Sequence, residues 1–411
     1  MFVDARSVPA GTVIEADLCI VGGGAAGITI AREFVASGLR VALVEGGAME
    51  IEEDSQDLYA GSDIGRPYLD LSTCRLRYFG GTTNHWAGWC LPLDPIDFEA
   101  REGLPYRGWP FSRADLDPWY RRAHSVVQIG PYAYAPSAWG INESAIPAPF
   151  NGPRFITKIL QTSPPTRFGP VYAAQLRRAP RLTVYLHANA LGFITDDAGR
   201  DVQALSIGAL GGNRFLVRAR VFVAATGGIE NARLLLLSGR PDGNGVGNEH
   251  DLVGRFFMTH MEYGGGTIAV SDPYAYFDFD YDFSVTTDNK RPFVSFVGPS
   301  QEAMRELQLT NIRITWEYHY GRVHETVDAA KRLFGRGSGH GDTFADILTV
   351  IRDLDGLAGV AVRKTLFGEG LPVESLTLRC HSEQLPNPDS RSCSAPSAMR
   401  SGRGVSSWTG G

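Results

Sequence analysis

A short apolar run, Leu18–Val21, leads straight into Gly22-Gly-Gly24-Ala-Ala-Gly27, and a helix-period segment over residues 25–37 is followed by a second apolar strand over 40–44. This is a β-α-β unit with Gly-x-Gly-x-x-Gly at its first turn, and few architectures other than a doubly wound parallel sheet accept it. Each glycine has a mechanical task. Gly22 permits the tight turn, Gly24 lets backbone N–H groups approach a pyrophosphate at the positive helix end, and Gly27 allows close strand–helix packing. Glu45 closes the second strand, where a carboxylate accepts hydrogen bonds from ribose hydroxyls and disfavours a ribose phosphate. The competing reading is a glycine-rich turn in some other doubly wound fold; strand, glycines, helix and Glu45 in register favour a dinucleotide, FAD or NAD. Two features select FAD. Gly46-Gly47 follows Glu45 at once, and a late strand enters Ala225-Thr-Gly227-Gly, a second strand-turn that places Ala225 and Gly227 at the cofactor.

Composition narrows the class of partner. Lys and Arg total 39 against 45 Asp and Glu, a net charge of -6 without a long like-charge block, which argues against a nucleic-acid surface. The 48 glycines in 411 residues exceed the usual share of about 7%, so many backbone positions need unusual dihedrals or close ligand approach. Five cysteines with no Cys-x-x-Cys pair indicate neither a disulfide scaffold nor a zinc or dithiol site. No basic and apolar leader opens the chain, and no run reaches the roughly 18 apolar residues of a membrane helix. A cytoplasmic protein without a membrane span is expected.

The expected fold class is α/β, α+β overall: a Rossmann-like FAD-binding domain joined to an antiparallel-sheet substrate domain. Residues 1–261 are assigned to the first, discontinuous and containing an antiparallel meander over about 181–219. The aromatic-rich stretch with β-type runs at 293–297 and 311–316 places the second at 262–391, incomplete, and the Ser/Gly-rich 392–411 reads as a disordered, aberrant tail. Ser112 and Asp115 form an acidic variant of a capping box, and Asp117-Pro118 reads as a helix start. Glycines between 335 and 341 imply a mobile loop.

At Phe79-Gly-Gly-Thr-Thr-Asn-His-Trp-Ala-Gly88 the chain resembles the glucose-methanol-choline (GMC) oxidoreductases, in the branch of pyranose 2-oxidase and bacterial sugar dehydrogenase flavin subunits. The likeness continues through Ala224-Ala-Thr-Gly-Gly-Ile-Glu-Asn-Ala-Arg-Leu-Leu-Leu-Leu237 and Val253-Gly-Arg-Phe-Phe-Met-Thr-His260, in family order, over residues 17–391. It implies an FAD enzyme that oxidises a CH–OH group of an alcohol or sugar, passing hydride to flavin N5 and then electrons to oxygen or to an acceptor subunit. Gly80, Gly81, Thr82, Thr83 and Asn84 match the loop that approaches flavin and pyrophosphate. Thr-x-His85-Trp resembles the place where pyranose 2-oxidase bonds its flavin; the alternative is a histidine that packs beside a non-covalent flavin. Trp86 reads as core, and Asn231 and Arg233 as anchors of the helix after Gly228.

His260 corresponds to a position near, but not at, the reacting carbon, and a structural role is the plainer reading. His319 and His324 have the wrong spacing for one helical face, and Asp242-Gly-Asn-Gly-Val-Gly247 lacks calcium-ligand chemistry, so no metal site is expected. The family's base is a C-terminal histidine in a His-x-Met-Gly-Thr type of segment, which this sequence does not contain; the catalytic residues are therefore unknown. The abrupt change of composition after Arg391 suggests a shift of reading frame. Two rivals stay open: a truncated, non-catalytic flavin-binding remnant, and a flavin monooxygenase or amine oxidase.

Overall fold

The strands Leu18–Val21 and Val41–Val44 are buried at every position, the pattern of a parallel sheet covered on both faces. In the computed structural model they are the centre of a five-stranded parallel sheet, ordered Phe2–Asp4, Leu182–Leu186, Val41–Val44, Leu18–Val21, Val221–Ala224. The structure describes residues 1–63, 65, 68–104, 108–146, 150–239, 244–270, 292–334, 343–367, 371–394 and 406–409. One face of the sheet is covered by the helices Ala25–Glu33 and Phe168–Arg178, through Ile28, Ala31, Tyr172 and Leu176. The other face packs on a four-stranded sheet through Phe193, Leu205, Ile207, Phe215 and Val217. Burial on both sides gives this unit its stability.

The helix expected over 25–37 is regular only for Ala25–Glu33, where the cap N–H of Phe34 turns back onto Ala31 and Arg32. Leu182–Leu186, read from sequence with the meander, pairs instead in parallel with Val41–Val44, because Leu182, Val184 and Leu186 all enter the first core. The meander proper is Asn189–Thr195, Val202–Gly208 and Arg214–Arg218, with Val13–Glu15 added in parallel at its edge. The capping box of Ser112 and Asp115 starts the helix Arg113–Val126, so Pro118 lies inside it and does not begin it.

A second sheet has six strands, in the order His260–Ala269, Val373–Glu383, Ile312–Tyr320, Phe293–Pro299, Phe155–Thr162, Trp89–Cys90. It therefore draws two strands from sequence well before residue 262. Between its strands Ile312–Tyr320 and Val373–Glu383 the chain inserts the helices Arg322–Leu333, Thr343–Arg352 and Leu354–Phe367. Its outer strand His260–Ala269 is exposed along its whole length. At the segment 392–411, read as disordered, Ser406–Thr409 pairs with Arg391–Ser394 on one side and with Gly61–Asp63 on the other. The loop at 335–341 lies outside the described residues. Among those residues no helix is long and apolar enough to cross a membrane.

Candidate cofactor-binding site

The C-terminal ends of the central parallel strands open into a cleft of about 320 Å³. Three separate segments line it: Gly22, Gly24, Ala25 and Ala26 from the first turn, Gly81, Thr82 and Thr83 from the second loop, and Ala225, Thr226 and Gly227 from the last strand-turn. Their meeting depends on backbone contact. A Cβ on Gly27 would stand 1.8 Å from the carbonyl oxygen of Gly22, and one on Gly81 would stand 3.1 Å from the Cα of Gly24. Gly22 has φ +108° with the Ala225 carbonyl pressed against it, so only glycine serves there. Gly24 caps the helix Ala25–Glu33, whose first turn carries no acidic residue and no side-chain cap. Such an end offers N–H groups to an anion.

Glu45 is buried in the same cleft. Its Oε2 accepts the Gly23 N–H at 2.8 Å and its Oε1 the Gly47 N–H at 2.9 Å, so the carboxylate is fixed while each oxygen keeps a lone pair. Beyond it the wall is formed by Tyr59, Arg77, Ala188, Ala190, Leu234 and Leu237. The Arg77 guanidinium lies 5.1 Å from the Tyr59 ring centroid and donates from Nη2 to Asn189 Oδ1 at 2.8 Å, while its buried Nε has no partner among the described residues. An unpaired buried donor is costly, and a ligand acceptor would relieve it. Glu230, also in the wall, accepts from Arg75 and from Arg233, each at 2.8 Å. Burial pushes its carboxyl up, but Arg233 and Arg75 outweigh this and hold it below its ordinary value.

Of the residues expected from sequence, Gly22, Gly24, Glu45, Gly81, Thr82, Thr83, Ala225 and Gly227 line the cleft. Gly27 stands behind it as the strand–helix contact. Gly80 and Asn84 shape the second loop without lining the cleft: Gly80 has φ +101°, and Asn84 Nδ2 donates to the Phe79 carbonyl at 3.1 Å. His85 is exposed at the end of the short helix Gly81–Asn84. Trp86 packs against the first core and donates to the Thr166 carbonyl. Asn231 accepts from the backbone N–H and hydroxyl of Thr226, fixing the start of the helix Gly228–Leu237. Sequence reading missed Tyr59, Arg75, Arg77 and Glu230. The signal available was the basic pair Arg75-Leu-Arg77 just ahead of the glycine loop, which becomes meaningful only once Tyr59 and Glu230 are beside it.

Fold and cleft together define a Rossmann-like α/β protein with a dinucleotide-type cleft. No family model matches the sequence. The chain is 29% identical over 323 residues to the 6'''-hydroxyparomomycin C oxidase of Streptomyces lividus, an alignment covering 63% of this chain and 58% of that protein. It is 24% identical over 352 residues to the fructose dehydrogenase large subunit of Gluconobacter japonicus, covering 65% of each. Among solved structures, formate oxidase from Aspergillus oryzae aligns at 15% identity over 94% of this chain and 75% of that one, with a TM-score of 0.46. These curated relatives are glucose-methanol-choline oxidoreductases, and the chain resembles that family in the motif blocks it carries in order. It spans less than two thirds of the length of these curated relatives.

Proposed function

We propose that this chain binds FAD in the cleft and is the cofactor-holding part of an oxidoreductase acting on CH–OH groups of alcohols or sugars. The observation that carries the reading is the convergence of three glycine-containing segments beside the buried Glu45. The free lone pairs of Glu45 accept the ribose hydroxyls, the N-terminus of the helix Ala25–Glu33 and the hydroxyl of Thr82 hold the pyrophosphate, and Arg77 Nε donates to the adenosine side, while the Thr83 hydroxyl donates to the Gly80 carbonyl. Bound FAD supplies a two-electron sink that takes hydride at N5. The unit built on the parallel sheet carries the cofactor role, and the six-stranded sheet, with Trp89–Cys90 and Phe155–Thr162, carries the substrate role. Electrons then pass to oxygen or to an acceptor subunit, a relation supported by the name of the fructose dehydrogenase large subunit.

His85 is read as a non-covalent neighbour of the flavin, and acid precipitation should leave the flavin in the supernatant. Because the sequence holds no His-x-Met-Gly-Thr type of segment, no base is assigned, and this chain is expected to bind cofactor better than it turns over alcohol. Removing a general base typically costs about 10² to 10⁴ in rate. The test is an anaerobic visible spectrum of the purified chain before and after a panel of sugars and alcohols. A flavin band that bleaches supports an active oxidoreductase. A flavin band that no alcohol touches supports a binding remnant, and protein that takes up no FAD defeats the proposal.

A further inference from the structure

The outer strand of the six-stranded sheet carries a feature that cofactor binding does not use. His260 and Glu262, two residues apart on an extended strand, lie on one face, and Glu262 is directly opposite His381 on the neighbouring strand. Glu262 Oε1 is 2.9 Å from His260 Nε2 and 3.2 Å from His381 Nδ1, and one donor atom from each of the three residues lies within 4.8 Å of the others.

We propose that His260, Glu262 and His381 form a binding site for one divalent transition-metal cation of the zinc class, with a fourth position open. Two imidazoles and a carboxylate are the donor set for such ions, and tetrahedral ligand atoms at zinc-ligand bond lengths lie about 3.4 Å apart, close to the two separations from Glu262. The ion takes the place of hydrogens between these atoms: each imidazole that now points an N–H at Glu262 moves that proton to its other ring nitrogen, and no net proton loss is needed. His260 and Glu262 are 65% and 61% exposed, which gives an ion direct entry.

Arg313 works against a tight site. It lies opposite His381 on the third strand, within Coulomb reach of both Glu262 and His381, with its guanidinium 4.3 Å from the Trp89 ring centroid. Glu262 alone does not neutralise a divalent ion, so the cation and Arg313 together favour an anionic group, hydroxide or carboxylate, at the open position.

The experiment is a titration of the full chain, purified with chelator and without added flavin, with Co²⁺ alone, followed by its visible absorption. One saturable equivalent with the strong bands of four-coordinate cobalt, displaced by Zn²⁺, is expected. Glu262→Gln and His260→Asn change exposed side chains, so both variants should melt like the parent, and each should weaken Co²⁺ binding by at least about tenfold. His381→Asn should do the same, while His319→Asn should leave binding unchanged. Absence of a saturable equivalent, or binding that survives both Glu262→Gln and His260→Asn in folded protein, would overturn the proposal. Flavin plays no part in this readout, so the result is independent of the proposed function.

Discussion

The two sheets of this protein solve the burial problem in opposite ways. The parallel sheet is sealed on both faces, and its centre is a continuous apolar stack of Ile20, Leu43, Val184 and their neighbours. Among the described residues, the six-stranded sheet buries its hydrophobics in two small clusters, Val297, Trp316, Val373 and Leu376 in one and Leu160, Val294 and Phe296 in another, with Ile159 and Cys380 buried besides, and it ends in a strand exposed at every residue. Close packing makes the first intolerant of an added methyl group, whereas the open edge of the second has neighbours on one side only. The lesson is that rigidity is concentrated where a cofactor's atoms must be held, and the exposed polar groups lie where further ligands can enter.

The largest effect should come from Gly27→Ala, which sets a methyl group against the Gly22 carbonyl where only backbone could yield. A loss of about 3 kcal/mol or more in chemical denaturation is expected, with loss of FAD uptake. A normal melting curve would mean that the turn is looser than the contact implies.

Next comes Glu230→Gln, which leaves Arg75 and Arg233 without their buried counter-charge and should cost about 3 kcal/mol at pH 7. The folded pKa of Glu230 lies below its unfolded value of 4.5, so its contribution is present above that value and lost as pH falls through the folded pKa. The gap between parent and variant should therefore close in acid, as measured by denaturation at a series of pH values.

The reverse sign is expected at Asp97, in the short helix Pro95–Phe98, which meets the second sheet through Asn311. Burial pushes this carboxyl up to about 6, and its Oδ1 is buried without a hydrogen-bond partner. Any stability it adds is present below its unfolded value of 3.8 and is lost as pH rises through about 6. Asp97→Asn should raise stability at pH 8 by about 1 kcal/mol after allowing for solvent screening, with the advantage vanishing near pH 4. A variant less stable than the parent at pH 8 would show that the hydrogen bonds from Asp94 N–H and Asn311 to Asp97 need the charge. The smallest effect is expected on the open strand, where Ile268→Lys at a 47% exposed position should change stability by less than about 0.5 kcal/mol. A large loss there would mean that the edge is covered in solution and would end the contrast between the sheets.

The elements legible in the sequence were those whose physics is local. The unit from Leu18–Val21 to Val41–Val44, the capping box at Ser112 and Asp115, and the helix Gly228–Leu237 all appear where apolar period and turn chemistry place them. Misreadings arose where partner choice decides the outcome. Leu182–Leu186 has the same alternation as a meander strand, and nothing within it tells which sheet it will join. Similarly, Trp89–Cys90 and Phe155–Thr162 carry no mark of the sheet they complete.

By itself the sequence determined that a nucleotide-type turn exists, that Gly22, by its positive φ, and Gly27, by its contact with the Gly22 carbonyl, must be glycine, and that Glu45 closes the next strand, because these constraints act over a short stretch of backbone. Only the tertiary structure decided that Arg77, Tyr59 and Glu230 wall the same cleft, and that His260 and Glu262 meet His381. Those contacts depend on strand register between distant segments, and register is set by packing against the whole sheet, not by the residues that it brings together.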